Sequence, residues 1–306
     1  MLGKSKMLSL DDFKPIILDD KPIFDRHYEK YPPIHSDNIF TTLISWKEYA
    51  DYHYSYFDEN LIIYSNINGQ IRFRPPSGRF KKDIFDQVLN LAKQQDSDYP
   101  FGVIDEETME KMSSEYPNIQ LEEHRDYFDY IYLSKDLAEL TGSAYSKIRN
   151  RLNKFKKNNE YFIENISEEN MDEVKEFLKR WCLWKDCESD PILENERKAI
   201  IYSSDNFFKL GLSGTLIRIN DAIESIAVFE GMNKDTALVH YEKGSPDYDG
   251  IYKTINQETA KILQNDYKFI NRESDMGIPG LRKAKLSYRP HHMIKLYHVG
   301  KENIIL

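Results

Sequence analysis

One stretch concentrates residues that could do chemistry: Tyr267-Lys-Phe-Ile-Asn-Arg-Glu-Ser-Asp-Met-Gly-Ile-Pro-Gly-Leu-Arg-Lys-Ala-Lys-Leu-Ser-Tyr-Arg-Pro290. Strand alternation puts Phe269, Asn271 and Glu273 on one face, and Asp275 follows if the strand extends that far. Gly277 and Gly280 bracket a turn, and Pro279 suits the first turn of a helix. On that helix Arg282, Lys285 and Arg289 share a face, while Leu281, Ala284 and Tyr288 form a separate apolar stripe. Carboxylates at a strand end opposite a cationic helix could orient an amine and an anionic acyl donor. The alternative is a solvated salt-bridge cluster.

Three further segments bear charge in suggestive patterns. Val239-His-Tyr-Glu-Lys-Gly-Ser-Pro-Asp-Tyr-Asp-Gly250 reads as a strand, a turn-rich loop and a helix start, with Glu242 and Lys243 as its best-placed polar pair. A loop before a helix offers N–H groups to an anion, yet Asp247 and Asp249 would repel a pyrophosphate there. The loop also lacks the Gln/Arg-x-x-Gly-x-Gly/Ala pattern with which simple acetyltransferases hold coenzyme A. Arg72, Arg74 and Arg79 flank a Pro-Pro-Ser-Gly loop that is either an anion-binding turn or only a hydrophilic one. Lys147, Arg149, Arg151, Lys154, Lys156 and Lys157 stand together with no acid among them. A basic helix of this kind suits the phosphates of tRNA, a lipid head group or coenzyme A, or is simply a solvated face.

The rest of the chain limits what such residues can serve. Its 306 residues predict two domains, and 40% hydrophobic with 30% charged residues is ordinary globular composition. A net charge of −9 argues against a general nucleic-acid coat protein without excluding a local basic patch. Cys182 and Cys187 are too few for a disulfide framework and have no nearby His, and His291-His292 has no third ligand beside it, so no metal site is expected. The N-terminus does not read as a signal peptide and no window has the length of a spanning helix, so a cytosolic location is expected.

The elements that must position these residues repeat once. Leu61–Tyr64 and Gln70–Arg74 alternate around Asn68-Gly69, a hairpin signal, and precede a helix over 82–94 and a strand over 101–104. Strands over 211–219, 222–232 and 236–242 precede a helix over 251–264 and a strand over 267–272. A helix follows over 279–288, then a last strand over 293–299. This predicts an α+β protein with a duplicated unit, the first over 1–130 and the second over 131–306. The order βββ-loop-α-β fits an acyltransferase-type half better than a doubly wound sheet.

The stretch Asn271 to Pro290 resembles the closing signature of the family named for the C-terminal domain of phosphatidylglycerol lysyltransferase. Similarity extends to Tyr241-Glu-Lys243, to Gly250-Ile-Tyr-Lys-Thr-Ile-Asn256, to Asp129–Tyr132 and to Leu140, Gly142 and Lys147–Asn150. The resemblance implies two tandem GNAT-like domains with mixed central sheets flanked by helices. It also implies aminoacyl transfer from aminoacyl-tRNA, with an acyl-CoA N-acyltransferase or a ligand-binding module as alternatives. The acceptor would be a small molecule, a peptide or a lipid head group, and no cofactor would be tightly bound beyond the tRNA or acyl-CoA co-substrate. Glu242, Glu273 and Lys285 are then the expected catalytic residues. Lys243, Tyr252, Asn256, Asn271, Asp275 and Arg282 are expected to bind substrate. Arg74, Arg79, Lys147, Arg149, Arg151 and Lys154 are expected to bind the anionic donor. Glu273, Asn271 and Arg282 should face a cleft shared with Glu242 and Lys285.

Overall fold

A computed structural model describes residues 7–305. Two compact units form, one from residues up to 128 together with those from 294 onward, the other from 129–293. The first unit runs β1 (Lys14–Pro15), α1 (Lys21–Lys30), α2 (Phe40–Ser45), α3 (Lys47–Ala50), β2 (His53–Phe57), β3 (Asn60–Ile67), β4 (Gln70–Phe73), α4 (Lys82–Lys93), β5 (Phe101–Asp105), α5 (Glu106–Glu115) and β6 (Glu122–Glu123). The second runs β7 (Asp129–Leu133), α6 (Ser134–Glu139), α7 (Ser146–Asn158), β8 (Phe162–Asn165), α8 (Met171–Lys185), α9 (Pro191–Asp205) and α10 (Phe207–Leu210). It continues with β9 (Ser213–Ile219), β10 (Ala222–Gly231), β11 (Thr236–Gly244), α11 (Ile251–Leu263), β12 (Phe269–Asn271), α12 (Pro279–Ser287) and β13 (His292–Ile294). A last strand, β14 (Leu296–Val299), is part of the first unit's sheet.

Each unit repeats the expected order. In the first, β2, β3 and β4 form an antiparallel meander, α4 crosses over, and β5 lies parallel to β4. The Asn68-Gly69 turn works because both residues adopt the left-handed conformation that a two-residue hairpin needs, with φ of 53° and 86°. The helical stripe Ile84, Phe85, Val88, Leu89 and Ala92 is buried against Phe73, Phe101 and Ile104 of the sheet. In the second unit β9, β10 and β11 form the meander, α11 crosses over, and β12 runs parallel to β11. Both sheets are mixed, the first ordered β1-β2-β3-β4-β5-β14-β6 and the second β13-β7-β12-β11-β10-β9-β8. The GNAT-like α+β unit is therefore present twice, in tandem, in one chain.

The expected strand over 293–299 is two strands in different sheets. β13 lies beside β7, whereas β14 inserts antiparallel between β5 and β6, so residues 294–305 belong with the first unit rather than the second. A period of two tells which face a residue occupies but not which sheet it joins, and the switch falls inside one unbroken run. Four strands escaped the pattern: β1 and β6 are only two residues long, β2 directly follows an aromatic stretch, and β8 is mostly exposed. Cys182 and Cys187 form a disulfide at the end of α8, with Cα atoms 5.3 Å apart. No described helix is long and apolar enough to cross a membrane.

Candidate functional site

The second sheet opens at one place. Parallel pairing of β11 with β12 covers only Thr236–Leu238 against Phe269–Asn271, and β11 then continues to Gly244 without that neighbour. A register shift in the β10–β11 ladder, from Val228↔Tyr241 to Phe229↔Val239, leaves His240 as the extra residue of a bulge at the point of divergence. Such openings beyond strand ends collect polar groups because backbone atoms there have no ladder partner.

Glu242 lies just past the bulge and binds two partners at once. Its Oε1 accepts from Asn256 Nδ2 of α11 at 2.9 Å, and its Oε2 accepts from Arg272 Nη2, which follows β12. The Arg272 guanidinium lies over the rings of Tyr288 and Tyr132, 5.0 and 5.7 Å from their centroids. This carboxylate clamp is incomplete. Arg272 Nη1 and Asn256 Oδ1 are both buried with no hydrogen-bond partner, one a donor and the other an acceptor. Leaving a buried polar group unmatched costs about 1–3 kcal/mol, so the two orphan atoms, on the two residues that hold Glu242, are unfavourable as they stand.

Lys285 reaches the same strand end from α12. Its ammonium donates to the carbonyls of Arg272, Glu273 at 3.0 Å and Ser274 at 2.7 Å, which uses all three of its N–H bonds. Burial, followed by the positive charge of Arg272, pushes its pKa down to about 8. Those carbonyls need the help because the chain turns sharply: Glu273 has φ of +55° and its N–H is held by Asn271 Oδ1 at 2.7 Å. Glu273 accepts from His240 Nδ1 at 3.3 Å, and His240 Nε2 lies 2.7 Å from Glu230. Burial raises the Glu273 pKa while His240 draws it back. Burial opposes charge on His240 too, but Glu230 and Glu273 outweigh it and lift its pKa to about 9. Stability from this imidazolium should be fully present below pH 6.5 and disappear as pH rises through about 9. Urea titrations should show the wild type losing stability over that interval relative to His240→Gln; equal slopes would mean the imidazole is neutral.

Other expected site residues are held elsewhere. Asn271 is fully buried, donating to Asp129 at 2.7 Å, and brackets the turn rather than facing Glu242. Asp275, also fully buried, accepts a two-pronged bond from Arg282 and further bonds from Tyr130 and the Gly277 N–H. Desolvation works against its charge, but Arg282 and Tyr130 hold its pKa at about 2. Arg282 and Asn271 therefore do not join Glu242 in one cleft as expected, because each satisfies a nearer buried partner. Lys243 alternates away from Glu242: it pairs with Glu196 at 2.8 Å and lies 4.0 Å over the Trp181 ring. Trp181 Nε1 in turn donates to Tyr252 OH at 3.1 Å. Arg272, His240, Glu230, Tyr132 and Trp181 were not singled out by sequence. The available signal was His240, a titratable residue that follows the apolar run Ala237–Val239.

The cationic residues also divide. Arg149 is half-buried, its Nη1 donating to the carbonyls of Leu140 and Gly142 just beyond α6. Lys154 makes an exposed pair with Asp249 at 3.3 Å, while Lys147 and Arg151 remain exposed on α7. Gly250 ties this helix to the start of α11: its φ is +102°, and a Cβ there would lie 2.9 Å from the Arg151 carbonyl. Lys253, one turn into α11, has its pKa lowered by burial and then by Arg151 and Arg272. Arg151, Lys253 and Arg272 thus pass positive potential from an exposed helix to the buried clamp. In the first unit Arg74 is buried, its Nη1 donating to the Asp37 carbonyl and, at 2.7 Å, to Asn38 Oδ1; Arg79 is exposed.

Comparison with known proteins follows this geometry. The family described as phosphatidylglycerol lysyltransferase, C-terminal, matches residues 28–300. The chain belongs to this family. A conserved protein of unknown function from Bacteroides thetaiotaomicron is 31% identical, covering 94% of this chain and 98% of that one, with a TM-score of 0.87. The L-PGS of Bacillus licheniformis shares the family fold at a TM-score of 0.63 and 12% identity, over 92% of each chain. An uncharacterized protein of Mycoplasmoides gallisepticum is 27% identical over 179 residues, 58% of this chain, and the match spans little more than half of that relative, 57%.

Proposed function

We propose that the chain transfers an aminoacyl group from an aminoacyl-tRNA to an amine or hydroxyl acceptor at the opening between β11 and β12. The observation that carries this reading is the unmatched pair beside Glu242, with Arg272 Nη1 as free donor and Asn256 Oδ1 as free acceptor. An α-aminoacyl ester has the complementary pattern: a carbonyl oxygen to accept from Arg272 and an ammonium to donate to Asn256. Charge develops on that carbonyl oxygen as the acceptor adds, and a fixed guanidinium stabilises it. The new bond joins the acceptor atom to the acyl carbon, and the bond from that carbon to the ribose oxygen breaks. The proton leaving the acceptor goes to Glu273, whose side chain is partly accessible, and a proton returns to the departing ribose oxygen. Lys285 is a positioning residue, since its ammonium fixes the strand end that carries Arg272 and Glu273. No cofactor beyond the co-substrate is required.

Support for tRNA as donor comes from the cationic run Arg151–Lys253–Arg272 and the exposed Lys147. Asp247 and Asp249 at the start of α11 disfavour the pyrophosphate of coenzyme A. Purified protein should be mixed with tRNA charged with labelled amino acids, and deacylation and transfer followed. Turnover of at least one aminoacyl-tRNA is expected, with binding that weakens as salt rises. Lys147→Glu with Arg151→Glu should reduce the log–log salt slope by about two. Turnover of acyl-CoA instead, or no affinity for tRNA, would overturn the proposal.

A further inference from the structure

We propose that Arg72, His124 and His298 of the first unit form a binding site for a phosphate-type oxyanion, apart from the transfer site. Arg72 lies on β4, and its Nε donates to the Tyr99 carbonyl at 3.0 Å. No carboxylate among the described residues pairs with its guanidinium. Around it is a continuous aromatic stack. The Tyr99 and His298 rings lie nearly parallel at 4.0 Å, His298 and His124 at 4.5 Å, and His124 and Tyr127 at 4.4 Å. Gly102 makes room for this packing, because a Cβ there would come within 3.1 Å of Arg72 Cδ and 3.4 Å of His298 Cβ.

Two observations point to an anion. A half-buried cation without a counter-charge is unfavourable, and a guanidinium fork matches an oxyanion through two parallel hydrogen bonds. His298 Nδ1 is sealed from solvent with no partner, so the stack is short of polar satisfaction as well as of negative charge. Nearby charges do not remove the deficit. His124 is faced by His298, Arg72, Asp126 and Asp37; His298 is faced by Arg72 and by Glu122, 3.8 Å away. Burial, then His298 and Arg72, push His124 down to about 4, and burial and Arg72 lower His298. An oxyanion at Arg72 would offset that positive potential, so both imidazoles would take up protons more readily and affinity would rise as pH falls.

Sulfate, whose charge is constant across the range, is the probe for calorimetry on the full chain between pH 5 and 8. Binding is expected to tighten toward pH 5, with His124 and His298 ring signals shifting in NMR spectra. Arg72→Gln should weaken binding about tenfold or more and abolish those shifts. If that variant does not fold, Arg72→Lys keeps the charge, loses the fork and should also bind more weakly. Adenosine monophosphate and inorganic phosphate separate the sources: tighter binding of the nucleotide identifies a nucleotide site stacked on the rings, and equal binding a free-oxyanion site. Absence of histidine shifts with sulfate, or wild-type affinity in the folded Arg72 variant, would overturn the proposal. Neither result bears on aminoacyl transfer, which depends on the other unit's residues.

Discussion

An Arg272→Lys protein should fold and lose about 100-fold or more of the rate of the proposed transfer. Lysine can keep the charge opposite Glu242, so the clamp is not left with a lone buried carboxylate. It cannot keep the fork: all three N–H bonds of an ammonium radiate from one nitrogen, so the donor that Arg272 holds at Nη1, apart from the Nη2 that bonds Oε2 of Glu242, has no counterpart at its position. The loss should fall on kcat more than on KM, because the missing bond is to charge that appears only as the acceptor adds. A rate within a few-fold of wild type would remove Arg272 from the chemistry. Asn256→Ala should act differently, raising KM by removing an acceptor for the donor's ammonium in the ground state.

Asp275→Asn should be the most destabilising of the single conservative changes at this end of the sheet, by about 3 kcal/mol. The carboxylate is fully buried between Arg282, Tyr130 and the Gly277 N–H, and Arg282 keeps enough solvent access to hold the loss at the low end for a broken buried pair. Its depressed pKa sets a pH window with a definite sign. Stability from Asp275 is present above the ordinary value of 3.8 and is lost as pH falls through about 2. Urea midpoints should therefore drop for the wild type across that range and change less for the variant. Parallel pH profiles would mean that the Arg282 pair contributes nothing.

The local devices of this fold were legible because each depends on neighbours in sequence. Asn68-Gly69 makes its hairpin through its own backbone conformation, and Ile84, Phe85, Val88, Leu89 and Ala92 share a helix face through the helical period alone. The order of meander, helix and parallel strand, twice over, follows from such signals. So does the family that the closing signature Asn271 to Pro290 resembles. Partner choice was not legible. Arg272 and Arg282 are the same residue type ten positions apart, yet one meets Glu242 across 30 residues and the other meets Asp275 within seven. Asn271 and Asn256 divide in the same way, the first bonded to Asp129 across 142 residues and the second to Glu242 within 14. Lys285 reads as a cation on an exposed helix face, whereas the turn at Glu273 leaves carbonyls that consume its ammonium. The same limit hid the sheet change at Lys295. Periodicity records which side of an element a residue faces, but a buried charge or an unpaired strand takes its partner from whatever tertiary packing brings within 3 Å.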